Sequence, residues 1–204
     1  NMEPRRNRTI LEASSQVSVR TRPVLLVDGN NICFQSLHAM GPLHYKGKPT
    51  GVIYGVLTRL LRWVQEQSFS TIAFVWDSPE SKRKKRFPFY KEGRRRNLTP
   101  EMKALLDEGF VQFNLLRETI LPALGIINQF SQTGYEADDL MARYAIQGDP
   151  CTLLTSDEDL WQCVRPGVVW CSPQGVRVDM DAMREKGIRH PSDWAMVKAI
   201  AGCP

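Results

Sequence analysis

Short apolar runs alternate along this chain with stretches in which apolar residues recur at helical spacing. Val24-Leu-Leu-Val27, Thr71-Ile-Ala-Phe-Val-Trp76 and Thr152-Leu-Leu-Thr155 lack the in-out alternation of a half-exposed strand. They read as strands buried on both faces. Ile126 to Phe130 reads as a further strand, and Val168-Val-Trp-Cys171 and Val176-Arg-Val178 flank Pro173-Gln-Gly175 as a hairpin. Val52, Ile53, Val56, Leu57, Leu60, Leu61 and Val64 make one helical stripe, with Thr50 as its expected N-cap. Thr99-Pro-Glu opens another helix that runs to Leu124, with a break expected near Gly109-Phe110. Leu140, Met141, Tyr144 and Ala145 mark a third, and Glu158 to Val164, Asp179 to Lys186 and Ser192 to Ala201 complete the set. His38 to Pro49 reads as a loop from its Gly and Pro content. Gly51 and Gly55, four apart, indicate close approach of a packed neighbour or of a ligand backbone. The alternation of strand and helix predicts an α/β fold, a mostly parallel central sheet flanked by helices on both faces.

Acidic residues fall where such a sheet binds ligands, at the carboxyl ends of strands and the openings of helices. Asp28 follows the first strand, Asp77 the second, and Asp157 and Asp159 the fourth, while Glu136, Asp138 and Asp139 stand where a helix opens. Any one of them could be a helix cap or a loop residue. Seven on one edge would repel one another unless cations were present. With oxygen donors and no His or Cys cluster beside them, the set suits Mg²⁺ or Mn²⁺.

Charge sharpens this picture. The net charge is +5, but Lys82 to Arg96 holds nine Lys or Arg against Glu92, a local +8. The remainder, with 18 basic and 21 acidic residues, sits at −3. Phe87, Phe89 and Tyr90 interleave with these cations, a mixture that can hold phosphates and stack on bases, although a solvated surface would also carry such a run. Cysteines 33, 151, 163, 171 and 203 are odd in number with no CxxC, so most of them read as small buried hydrophobes. No run approaches the ~20 apolar residues of a membrane span and no apolar leader is visible. A cytoplasmic protein is therefore expected. Residues 1–20 read as a flexible polar arm and 21–204 as one domain, with 78–100 as its basic segment.

Val27-Asp-Gly-Asn-Asn, Phe74-Val-Trp-Asp77, Tyr90-Lys-Glu-Gly-Arg94, Gly134-Tyr-Glu-Ala-Asp-Asp139 and Leu154-Thr-Ser-Asp-Glu-Asp159, in this order, resemble the motifs of the 5′ to 3′ exonuclease and flap endonuclease family. The likeness is strongest to its phage members and to the N-terminal nuclease domain of bacterial DNA polymerase I, and it covers nearly everything from Val24 onward. It implies a parallel-sheet core, a basic arch or clamp over the active site, made by 78–100, and a module that grips duplex DNA. It makes Asp28, Asp77, Glu136 and Asp138 the acids around a first metal ion, and Asp157 and Asp159 ligands toward a second, with Asp139 nearby. Lys91 and Arg94 then act on the scissile phosphate. Lys82, Arg83, Lys84, Lys85, Arg86, Tyr90, Arg95 and Arg96 join them in binding nucleic acid.

The same resemblance implies a monomer acting on DNA with a 5′ single-stranded arm or 5′ end, or on an RNA primer in an RNA/DNA hybrid, in a bacterial or phage-infected cell. At residues 188–204 the chain resembles the start of the family's duplex-binding module. Cys203 stands there in the place of an expected Asp, and the chain ends before a second one. A weaker second metal site follows. Two other readings stay open on the residues alone: a nucleic-acid-binding module with an impaired centre, and a compact ribonuclease of PIN-like type.

Overall fold

The computed structural model describes residues 22–87, 89 and 98–202. Strand β1 (Val24–Asp28) is apolar on both faces because it lies in the middle of a six-stranded sheet. Leu25 and Val27 point to one side and Leu26 to the other, and all three are buried. Each such side chain contributes roughly 1.5–3 kcal/mol on burial. The other sheet strands are β4 (Thr71–Val75), β5 (Asn128–Phe130), β6 (Cys151–Leu154), β7 (Val168–Cys171) and β8 (Arg177–Val178). Their spatial order is β5-β4-β1-β6-β7-β8, all parallel to their neighbours except β8. The chain leaves β1 toward β4 and later returns to its other side as β6. That reversal opens a crevice at the carboxyl ends of β1, β4 and β6.

Helices α1 (Gly29–Met40) and α2 (Gly51–Glu66) cover one face together with α4 (Pro100–Leu115). The other face is covered by α6 (Ala137–Gln147) and α7 (Met180–Glu185), with Trp194 of α8 (Trp194–Ala201) packed at its edge. Both cores are well filled, by Ile32, Leu37, Val56, Phe74 and Leu116 on the first side and Met141, Leu153, Trp170 and Met183 on the second. Cys33, Cys151, Cys163 and Cys171 are buried free thiols, as small hydrophobes would be, and burial pushes their ionisation upward. Among the described residues no helix is long and apolar enough to cross a membrane.

Several local expectations need correction. The 38–49 loop contains a small antiparallel hairpin, β2 (His44–Tyr45) and β3 (Lys48–Pro49), turned by Lys46 and Gly47, both at positive φ. Thr50 sits before α2 but does not cap it; its hydroxyl donates to Leu43 O. The amide of Val52 is satisfied instead by Oε1 of the buried Gln112, at 2.9 Å, from α4. Nor does α4 break at Gly109. A Cβ there would stand 2.8 Å from a Leu37 methyl, so the glycine serves packing against α1.

The irregularity comes later, as a π-turn over Leu116–Ile120 before α5 (Leu121–Ala123). Pro122 lacks an N–H and its ring crowds the preceding turn, which a wider turn accommodates. For Gly51 and Gly55 the packing reading holds: added Cβ atoms would lie 1.8 Å from Met40 O and 2.8 Å from Ser36 Cβ. The basic segment, which shows no helical stripe as a whole, carries a short helix α3 (Lys82–Arg86). The N-terminal arm, Cys203, Tyr90, Lys91, Arg94, Arg95 and Arg96 lie outside the described residues.

Candidate active site

Asp28 is the last residue of β1 and the N-cap of α1, where its Oδ1 accepts the Asn31 amide at 2.9 Å. Gly29 lets the helix start against the indole of Trp76; a Cβ there would be 2.5 Å from the ring. Oδ2 of Asp28 accepts the hydroxyl of the buried Thr155 at 3.0 Å, and Thr155 Oγ1 in turn accepts the Asp157 amide at 3.1 Å. Asp28 is 7% exposed. Burial pushes its carboxyl up to about 7, and the negative charges of Asp77 and Asp138 add to the rise. The Asn31 amide and Thr155 hydroxyl oppose it without winning.

Asp77 lies just past β4. Its amide donates to Asn30 Oδ1 at 3.0 Å, and its own Oδ1 accepts the Ala137 amide at 2.8 Å, at the opening of α6. Glu136 is the N-cap of α6, and Asp138 and Asp139 lie in its first turn. A helix start favours negative charge. Even so, burial raises the Asp138 carboxyl, outweighing the Arg83 guanidinium beside it.

That guanidinium is the least expected feature. Arg83 Nη1 lies 3.0 Å from Glu136 Oε2 and 3.1 Å from Asp138 Oδ2, and Nη2 contacts Asp139 Oδ1. The path that brings it there is a zipper between 78–82 and 134–135. The Ser78 amide donates to Tyr135 O, and the Gly134 amide to Ser78 Oγ. The Lys82 amide donates to Gly134 O at 3.0 Å, and Ser81 bridges Gly134. Gly134 adopts φ +88°, and a Cβ on it would meet the Lys82 chain at 2.8 Å. Only glycine serves both conditions.

Asp157 and Asp159 hold the other side of the crevice. Asp157 caps the 3₁₀ turn Glu158–Cys163 by accepting the Asp159 amide at 2.9 Å. Asp159 pairs with Lys198 of α8 at 3.0 Å, and Glu158 stands 4.0 Å from the same ammonium. Of the other cations in α3, Lys82 lies over the Tyr135 ring at 4.1 Å, Lys85 pairs with Glu80 at 2.7 Å and Arg86 lies near Phe87.

The fold thus brings Asp28, Asp77, Glu136, Asp138 and Asp139 to one side of the edge, and Asp157 and Asp159 to the other. Among the described residues, no three carboxylate, imidazole or thiol groups are gathered closely enough to hold an ion as they stand. Three of the acids turn to Arg83 instead. The all-oxygen donor set, the raised carboxyl of Asp28 and the cation already seated among the acids nevertheless fit a divalent ion of the Mg²⁺ or Mn²⁺ kind.

Sequence reasoning passed over the residues that position the acids: Asn30, Asn31, Thr155 and Ser81. Asn31 Nδ2 donates to Ser156 Oγ at 2.7 Å and its Oδ1 accepts the Ser156 amide, tying the start of α1 to the segment after β6. The adjacent asparagines after Asp28-Gly29 were the available signal, since short amides at a strand-to-helix turn commonly bond backbone. For Arg83 no local signal separates it from the neighbouring cations.

The family described as 5′-3′ exonuclease, N-terminal resolvase-like domain, matches residues 23–190. The thermostable DNA polymerase I of Thermus thermophilus is 29% identical over 187 residues, 89% of this chain and 21% of the polymerase. DNA polymerase I of Mycobacterium tuberculosis is 32% identical over 209 residues, covering 96% and 22%. The chain therefore spans about a fifth of the length of these relatives.

Among solved structures, the bacteriophage T5 D15 protein co-crystallized with metal ions superimposes with a TM-score of 0.71 at 23% identity, over 89% of this chain and 67% of that one. A variant of the T5 D15 flap endonuclease, in a pseudo-enzyme-product complex with DNA and metal ions, gives 0.68 at 22%, over 89% and 67%. These likenesses show the shared fold. With a match across most of its length, the motifs in order and the sheet edge that carries them, this chain belongs to the 5′-3′ exonuclease N-terminal, resolvase-like domain family.

Proposed function

We propose that the chain is a divalent-metal-dependent phosphodiesterase acting on DNA, with 5′ to 3′ exonuclease or 5′-flap endonuclease activity, in primer or flap removal during replication. The observation that carries this is the meeting of Asp28, Asp77, Glu136 and Asp138, delivered by three separate segments, at one edge where burial and like charge push the Asp28 carboxyl up to about 7. A carboxyl raised by burial and by other acids is one whose charge an added cation would stabilise, as a metal ion at this edge would. That the related T5 proteins were crystallised with metal ions, one of them with DNA, supports the reading.

Asp28, Asp77, Glu136 and Asp138 would hold the first ion. Asp157 and Asp159 would hold a second, weaker one, with Asp139 nearby. Bound there, Mg²⁺ or Mn²⁺ supplies Lewis-acid stabilisation of the phosphate and an activated water at neutral pH. The chain's own part is positional. Asn31 and Thr155 orient Asp28, the Ala137 amide orients Asp77, and Thr155 links Asp28 to the backbone of Asp157. On the sequence resemblance, Lys91 and Arg94 act on the scissile phosphate. Lys82, Arg83, Lys84, Lys85, Arg86, Tyr90, Arg95 and Arg96 attract and hold the 5′ strand, whether DNA or an RNA primer. The protein works as a cytoplasmic monomer in this reading.

The test uses flap, nicked and single-stranded DNA labelled at either end, with Mg²⁺ or with excess EDTA. Release from the 5′ side that disappears with EDTA, and disappears in Asp157→Asn while DNA binding persists, is the expected result. Full activity in that variant or in EDTA, or digestion only from the 3′ end, would overturn the reading. One observation favours the alternative of a binding module: Arg83 already engages three of the acids.

A further inference from the structure

We propose that Arg83 is the internal counter-cation of the acidic centre, holding Glu136, Asp138 and Asp139 in the metal-free protein and leaving them when a divalent ion enters. The inference rests on the metal-binding reading above and adds a residue that competes with the ion. Contacts of 3.0 Å and 3.1 Å from one guanidinium nitrogen to two carboxylates, with the other nitrogen on a third, make a fork shared by three acids rather than a surface pair. The Glu136 side chain is 11% exposed and that of Asp138 23%, so little water is available to disperse their charge.

A guanidinium suits this task because it stays charged at every working pH and presents several donors in a plane. It can therefore be displaced but not discharged. The guanidinium brings a single positive charge to the three carboxylates of Glu136, Asp138 and Asp139. A dication offers more charge to the same oxygens, and the exchange runs in its favour. The zipper between 78–82 and 134–135 holds the start of α3 in place, so only the side chain has to move. Arg83 thus sets the metal affinity of the free protein.

The measurement is Mn²⁺ binding to the full chain without DNA, followed by electron paramagnetic resonance of the free ion, for wild type, Arg83→Gln, Arg83→Lys and Lys85→Gln. Removal of a direct competitor should tighten binding in Arg83→Gln by about 5- to 150-fold, the usual span of coupling between two ligands of one protein. Arg83→Lys should return toward wild type. Lys85→Gln, on the same helix but paired with Glu80, should move affinity less than about 2-fold, as a screened surface charge does.

Thermal unfolding should show Arg83→Gln less stable than wild type in EDTA, with the difference closing at saturating Mn²⁺. In wild type, the Arg83 Nε–H resonance should shift on titration with Mg²⁺, a readout that needs no variant to fold. Equal or weaker Mn²⁺ binding by Arg83→Gln, or an unmoved resonance at saturating metal, would overturn the competition. Absence of Mn²⁺ binding by wild type and Arg83→Gln alike would instead overturn the metal centre itself, and this inference with it.

Discussion

Two sides of one sheet edge carry acids, and they are held in opposite ways. Asp28 and Glu136 are 7% and 9% exposed, fixed by backbone amides, a hydroxyl and a guanidinium. The side chain of Asp159 is 59% exposed and meets Lys198 across from α8. The first group is preorganised at the expense of burying charge, which raises Asp28 and Asp138, with neighbouring carboxylates adding to the rise. The second is solvated and adaptable. Burial makes an acid demand a cation; exposure lets it wait for one.

The sharpest way to break this comparison is to neutralise one acid on each side. Asp138→Asn should lower Mn²⁺ affinity and reduce cleavage about 10³-fold or more, because several kcal/mol of transition-state stabilisation go with the ion. Asp159→Asn should reduce turnover while leaving the Mn²⁺ affinity of the free protein near wild type. Equal losses of metal affinity in both variants would erase the distinction.

Next in size is the pH dependence of the metal-free protein. The folded-state carboxyl of Asp28 titrates at about 7, above its ordinary 3.8, so the folded state keeps a proton that the unfolded state has lost. Stability in EDTA should accordingly fall as pH rises from about 4 to 7, by on the order of a few kcal/mol, and level off above. Urea titrations across this range check it, and Asp28→Asn, whose amide can still accept from Asn31 and donate to Thr155, should flatten the slope. Asp159→Asn should not.

A smaller effect sits at the link between the two sides. Thr155→Val keeps the shape but removes the hydroxyl shared by Asp28 and the Asp157 amide, leaving a buried acceptor unpaired. A loss of about 1–3 kcal/mol is expected by urea denaturation. The smallest effect belongs to the Lys198–Asp159 pair, exposed on its acid side: Lys198→Met, which keeps the covered stem, should change stability by no more than about 1 kcal/mol, less still at high salt.

How much of this was legible depends on the range of the interaction. Val24–Val27, Thr71–Trp76 and Thr152–Thr155 could be read as buried strands because burial on both faces leaves no alternation, and Thr99 was recognisable as a cap because its partner, the Met102 amide, is three residues away. Thr50 misled for the converse reason. Its helix is capped by Gln112, 60 residues from Val52, and no local pattern announces that. Gly109 looked like a break since isolated glycines usually weaken helices, yet it marks where α4 presses on Leu37.

The sequence by itself determined the layered α/β architecture, the positions of the seven acids at strand ends and a helix opening, and a basic segment standing apart from an acidic body. These follow from periodicity and from charges counted along the chain, which need no partner to be specified. Only the tertiary structure decided which acids are buried together, that Asn30, Asn31 and Thr155 hold them, and that Arg83 alone of the described cations lies among Glu136, Asp138 and Asp139. Apart from the local Asn31–Asp28 cap, such pairings join residues 47 to 127 positions apart. Their energies depend on distance and burial, quantities that exist only once β1, β4 and β6 lie side by side.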